Sequence, residues 1–122
     1  MTTSEVANEL VRLCQQGKFH DAIVSLYGQD IVSVEAMAPS PDASRETHGL
    51  DAVMGKSEWW AKNHEIHSAV TEGPLVAGSR FAVVFKLDVT FKPAGNRMAM
   101  EEIAVYHVKD GKIVREEFFY GA

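Results

Sequence analysis

A chain of 122 residues is about one domain's worth, enough to bury a core and still leave room for a pocket. Its formal charge of −5, with no basic run, excludes nucleic acid and anionic membrane surfaces as expected partners, because both reward clustered Lys and Arg. The single cysteine, Cys14, excludes an internal disulfide framework and points to a reducing compartment.

The stretch MTTSEVANEL has neither the basic start nor the apolar run of a secretory signal, and no apolar span is long enough for a membrane helix. A soluble, cytoplasmic protein with one domain over residues 1–122 is therefore expected. Ser4 is the expected N-cap of a first helix, in which Val6, Leu10, Leu13 and Cys14 recur at helical spacing until Gly17. A second helix runs from about Phe19 to Tyr27, with Gly28 as its stop. The stretch from Asp30 to Met37 alternates as a strand, and Pro39 to Gly49 is rich in loop residues. Leu50 to Asn63 places Val53, Met54, Trp59 and Trp60 in a helical setting.

Beyond Asn63 the period changes to two. His64 to Val76 is one extended segment with a bend at Gly73-Pro74, followed by strands from Arg80 to Lys92, Arg97 to Val108 and Lys112 to Tyr120. Helices followed by a strand meander imply an α+β domain with helices against one face of a curved antiparallel sheet. Alternation along Arg97 to Val108 leaves both faces partly apolar, so a second subunit is expected on the outer face, making a homodimer.

Two carboxylates sit in apolar strand faces. Glu35 shares a face with Ile31, Ser33 and Met37, and Glu102 lies between Met100 and Ala104. If both face inward they share one cavity, where desolvation and mutual repulsion raise a carboxyl pKa into the range useful for general acid or base work. The competing reading is a wet strand face, with Glu101 and Glu102 matched by Lys86, Arg97 or Arg115 on neighbouring strands. His67 is a third candidate acid or base. Tyr27, Met37, Trp59, Trp60, Phe85, Met100, Tyr106, Phe118 and Tyr120 are the expected lining of a site for a hydrophobic small molecule. The two tryptophans are adjacent, so a helix points them about 100° apart, one to the core and the other to a lid or a partner. His64 and His67 around Glu65 lack a third ligand, so no metal is expected. No phosphate loop, nucleophile elbow or Cys-His pair supports a cofactor, nucleotide chemistry or an acyl-enzyme.

The succession GKFHDAIVSLYGQDIVSVEAMAP, THGLDAVMGKSEWW and a meander ending VYHVKDGKIVREEFFY resembles the SnoaL-like and ketosteroid-isomerase-related branch of the nuclear transport factor 2-like superfamily over nearly the whole chain. The resemblance implies a cystatin-like cone, with three N-terminal helices packed on a strongly curved antiparallel sheet around a deep apolar pocket, commonly dimerised through the outer sheet face. Ketosteroid isomerases carry a segment of the form I-V-A-L-F-A-D-D-A-T-V-E-D, and laid on IVSLYGQDIVSVE it places their general-base Asp on Glu35. Their oxyanion-hole tyrosine and protonated Asp fall on Leu10 and Ala104, neither of which can donate a side-chain hydrogen bond. The resemblance thus implies an isomerase, polyketide cyclase or lyase type of enzyme, with Glu35 as base and Glu102 or His67 as polar partner. The alternative is a ligand-binding or dimerisation module without chemistry.

Overall fold

The computed structural model describes residues 1–121. Helix α1 (Thr3–Gln15) starts one turn before the hydrophobic stripe. Its N-cap is Thr2 rather than the expected Ser4: the Thr2 hydroxyl accepts from the Glu5 backbone N–H, and the Glu5 carboxylate accepts from that of Thr2, closing a capping box. Helix α2 (Phe19–Leu26) runs directly into strand β1 (Tyr27–Val34), so Gly28 lies in the strand and is not the stop that was expected. A short strand, β2 (Glu46–His48), pairs antiparallel with β1 inside what reads as a loop; three residues are too few to show alternation. Helix α3 (Leu50–Asn63) has the predicted bounds.

The meander consists of β3 (His64–Ala77), β4 (Arg80–Phe91), β5 (Asn96–Lys109) and β6 (Lys112–Phe119). The six strands form one sheet in the order β2-β1-β6-β5-β4-β3. It is antiparallel except at β1 and β6, which run parallel, so the expected all-antiparallel sheet is mixed at that pair. The chain between these two strands contains β2, α3 and strands β3 to β5, a crossover long enough to return in the same direction.

Bulges help the sheet to curve. In β3 the register with β4 shifts between Glu72 and Leu75, where Gly73 has φ 118° and a Cβ would sit 3.1 Å from the Ala82 carbonyl oxygen. In β6 the pairs His107 with Arg115 and Val108 with Ile113 leave Val114 as an extra residue. Strict alternation would put Ile113 with Arg115 and Glu117; the bulge instead brings Ile113 to the inner face with Glu116 and Phe118, where it is fully buried. The core lies between the helices and the inner face of the sheet. Val6, Leu10 and Leu13 of α1, Ile23 and Leu26 of α2 and Val53 of α3 pack on Phe81, Val83, Ala104, Tyr106 and Ile113. Phe81 and Tyr106 stack with ring centroids 4.8 Å apart. No helix among the described residues is long and apolar enough to cross a membrane.

Candidate functional site in the cone

A cavity of about 700 Å³ lies between the helices and the inner sheet face. Its walls are mainly apolar and aromatic: Tyr27 from β1, Phe85 from β4, Met100 and Tyr106 from β5, and Phe118 from β6. Met37, Trp59, Trp60 and Tyr120 also line it, so all nine expected lining residues face one space. Both tryptophans do so. Trp60 stacks on His64 with centroids 4.2 Å apart, while Trp59 is 56% exposed. Cys14 lies in the wall, and burial pushes its thiol up to about 12, which makes it an inert apolar contact.

Glu35 and Glu102 converge on this cavity, but with different partners. Glu35 follows the end of β1, where its backbone N–H donates to the Arg45 carbonyl at 2.8 Å. Its carboxylate accepts from the Lys56 ammonium at 2.8 Å and from the Tyr120 hydroxyl at 3.1 Å. Glu102 faces inward between Met100 and Ala104, and the described residues make no hydrogen bond to its carboxyl. Burial first, then the negative charges of Glu35 and Glu116, push it up to about 7, with Lys56 pulling the other way. A carboxyl raised in this way is placed to exchange a proton near neutral pH. Glu102, Phe118 and Tyr120 also border a second cleft, of about 610 Å³, which opens where β6 stops and the first half of β5 loses its neighbour.

His67 is not brought to this site. It lies exposed on β3, and one ring nitrogen is 2.7 Å from the Thr90 hydroxyl on β4. The bulge between Ile66 and Ser68 sets the two sides of His67 out of register: Ile66 lines the cavity, and the following side chain is turned away from it. No group of three or more side chains able to hold a metal occurs among the described residues. Of the cationic partners expected for Glu101 and Glu102, Lys86 pairs with Glu72, Arg97 with Asp88 and Arg115 with Glu117.

Three polar side chains at the cavity escaped the reading of the sequence. Lys56 lies on α3, whose first turn is anchored to β1 by the Gly49 N–H donating to the Ile31 carbonyl at 2.8 Å. Val53, Lys56, Ser57 and Trp60 are spaced i, i+3, i+4 and i+7 and all line the cavity, so helical periodicity carried the signal for Lys56. Its ammonium donates to the Ser33 hydroxyl at 2.7 Å as well as to Glu35, and stands 5.8 Å from the centre of the Phe118 ring. Ser33, fully buried, donates in turn to Glu116 at 2.7 Å. Glu116, 4% exposed, accepts a further hydrogen bond from the Tyr27 hydroxyl. Burial raises the Glu116 carboxyl, against the opposing pull of those two hydroxyls and of Lys56. Alternation had already grouped Ser33 with Glu35 and Glu116 with Phe118, which was the available signal for both.

A family model described as SnoaL-like domain matches residues 1–120. The chain superimposes with a TM-score of 0.92 and 42% identity on a Mesorhizobium loti protein called a candidate SnoaL-like polyketide cyclase, also labelled a carbohydrate phosphatase, covering 98% of this chain and all of that one. A nuclear transport factor 2-like protein of Burkholderia thailandensis, 18% identical, matches with a TM-score of 0.81 over 99% of this chain and 92% of that one. A cystatin-like protein of Xanthomonas campestris, 17% identical, gives 0.77 over 100% and 92%. No curated protein matches the chain. With the cone and its cavity in place, the match over residues 1–120 and the 42% identity to the Mesorhizobium protein establish that this chain belongs to the SnoaL-like family within the nuclear transport factor 2-like fold.

Proposed function

We propose that the cavity is the active site of an isomerase, cyclase or lyase type of enzyme that moves a proton on a hydrophobic carbonyl compound, with Glu102 as the proton-transfer group. The observation that carries this reading is the Glu102 carboxyl, unpaired within an apolar cavity and held near a pKa of about 7. A base of that strength is matched to chemistry at neutral pH. Glu35, the base implied by the resemblance, is occupied by Lys56 and Tyr120 and serves as their anchor. The name given to the Mesorhizobium protein supports the same class of chemistry. We propose a homodimer through the outer sheet face as the assembly.

A benzisoxazole tests the reading without knowledge of the substrate, since removal of its C–H proton opens the ring to a phenolate that is read by colour. Turnover of nitrobenzisoxazole should saturate, rise with pH through about 7 and disappear in Glu102→Gln. Turnover that persists in Glu102→Gln overturns the assignment. The engagement of the Glu35 carboxylate favours a second reading, a binding module without chemistry; saturable binding with no turnover is its signature.

A further inference from the structure

Glu102 accounts for a proton, but proton removal beside a carbonyl also needs a donor for the oxygen that becomes negative. The positions that supply it in ketosteroid isomerases are here Leu10, in the cavity wall, and Ala104, fully buried. Of the hydroxyls at hand, those of Tyr106 and Ser57 donate to no described acceptor but are neutral, and three others are committed. Tyr27 donates to Glu116, Ser33 donates to Glu116 and Tyr120 donates to Glu35.

Lys56 is different. An ammonium has three N–H donors, and two are taken, by Ser33 at 2.7 Å and Glu35 at 2.8 Å. Among the described residues no acceptor takes the third, and Lys56 lines the cavity. Its direction is fixed from behind. Because the Ser33 hydroxyl spends its hydrogen on Glu116, what it offers Lys56 is a lone pair. Because Glu35 is also held by Tyr120, it cannot swing away with the ammonium. Such a donor is already oriented when the charge develops.

We propose that Lys56 is the oxyanion-stabilising residue of this site, its third N–H meeting the substrate oxygen, with Ser33 and Glu116 as positioning residues; this rests on the proton-transfer reading above. In the step, ionised Glu102 takes the proton from the carbon next to the carbonyl. The C–H electron pair becomes the new C=C bond, the carbonyl π pair moves onto oxygen, and the enolate oxygen accepts from Lys56. With a β,γ-unsaturated carbonyl substrate the enolate is a dienolate; the oxygen pair returns to the carbonyl, the double bonds shift, and neutral Glu102 gives its proton to the γ carbon, which completes an isomerisation and restores the site.

The test compares two probes that differ in how much charge their oxygen carries at the transition state. The unsubstituted benzisoxazole has the poorer leaving oxygen and depends more on a donor. Lys56→Met should lower kcat for the unsubstituted probe about ten-fold more than for nitrobenzisoxazole, with KM nearly unchanged. It should also move the midpoint of the pH profile upward, since it removes a cation that holds Glu102 down. Ser33→Ala should show the same probe selectivity more weakly, and Lys56→Arg should recover part of the loss; both serve also if the Met variant does not fold. Equal losses on both probes with an unmoved midpoint overturn the proposal and leave Lys56 a structural pair for Glu35. Loss of turnover in Glu102→Gln with that equal-loss pattern means that the proton-transfer reading stands and the Lys56 role fails. Full turnover in Glu102→Gln overturns both.

Discussion

Glu35, just past β1, and Glu102, on β5, look into one cavity, and their partners separate their chemistry: Glu35 is bonded by Lys56 and Tyr120, while Glu102 makes no hydrogen bond among the described residues and feels the charges of Glu35 and Glu116. Glu35 orients a cation and a phenol. Glu102 is free to exchange a proton.

That difference has a thermodynamic signature. The folded chain holds the Glu102 proton up to about pH 7, whereas the unfolded chain releases it near 4.5. Between those values the unfolded state ionises first, so stability falls as pH rises, by a total on the order of 3 kcal/mol. Glu102→Gln removes that fall. Its stability gain over the wild type, measured by urea denaturation, should grow between about pH 5 and about pH 8. A difference that stays constant with pH would show that Glu102 titrates as an ordinary carboxyl.

Tyr27 and Glu116 are both buried, so their hydrogen bond is shielded from bulk water. Tyr27→Phe leaves a Glu116 oxygen without its donor and should cost about 1–3 kcal/mol. In a double-mutant cycle with Glu116→Gln, the two effects should fail to add by at least about 0.5 kcal/mol, because the neutral amide tolerates the loss better. Additive effects would mean that Tyr27 stabilises the protein by packing alone.

If the cone is an open site, a neutral apolar dye should enter it. N-phenylnaphthylamine should bind at one equivalent and quench the emission of Trp59 and Trp60, both in the cavity wall. Met100→Trp narrows the space from the sheet side and should weaken binding about ten-fold, since overpacking a filled volume typically costs 1–3 kcal/mol. Undiminished binding would place the dye elsewhere.

The fold was legible because long periodic segments dominate it: α3 and the four strands of the meander announce themselves by spacing, and two carboxylates inside apolar alternation marked the cavity. What escaped was set by tertiary placement. Glu46 to His48 become a strand because β1 offers them a partner, and Ile113 turns inward because Val114 bulges. His67 has the chemistry of a site residue, but a bulge decides which way it points. Lys56 gains its meaning only when β1 places Ser33 and Glu35 opposite it. Periodicity assigns a residue to a face; it does not say what stands across from that face.

The outer face of the sheet makes the last prediction. Cross-strand pairing puts Leu75 beside Ala82, and Ile103 beside Val84 and Phe119, all on the side away from the core. In the single chain Leu75 is 73%, Phe119 49% and Ile103 45% exposed. Apolar side chains gathered on one face in this way mark an interaction surface. Two such sheets packed face to face would cover the patch on both, as an isologous contact does. Light scattering at micromolar concentration should therefore give about twice the chain mass of 13.5 kDa. Ile103→Glu with Phe119→Glu places like charges across that contact and should halve the mass. Because the cavity lies on the other face, the paired variant should still bind the apolar dye. A wild-type chain of monomeric mass would remove the dimer and leave the exposed face to some other partner.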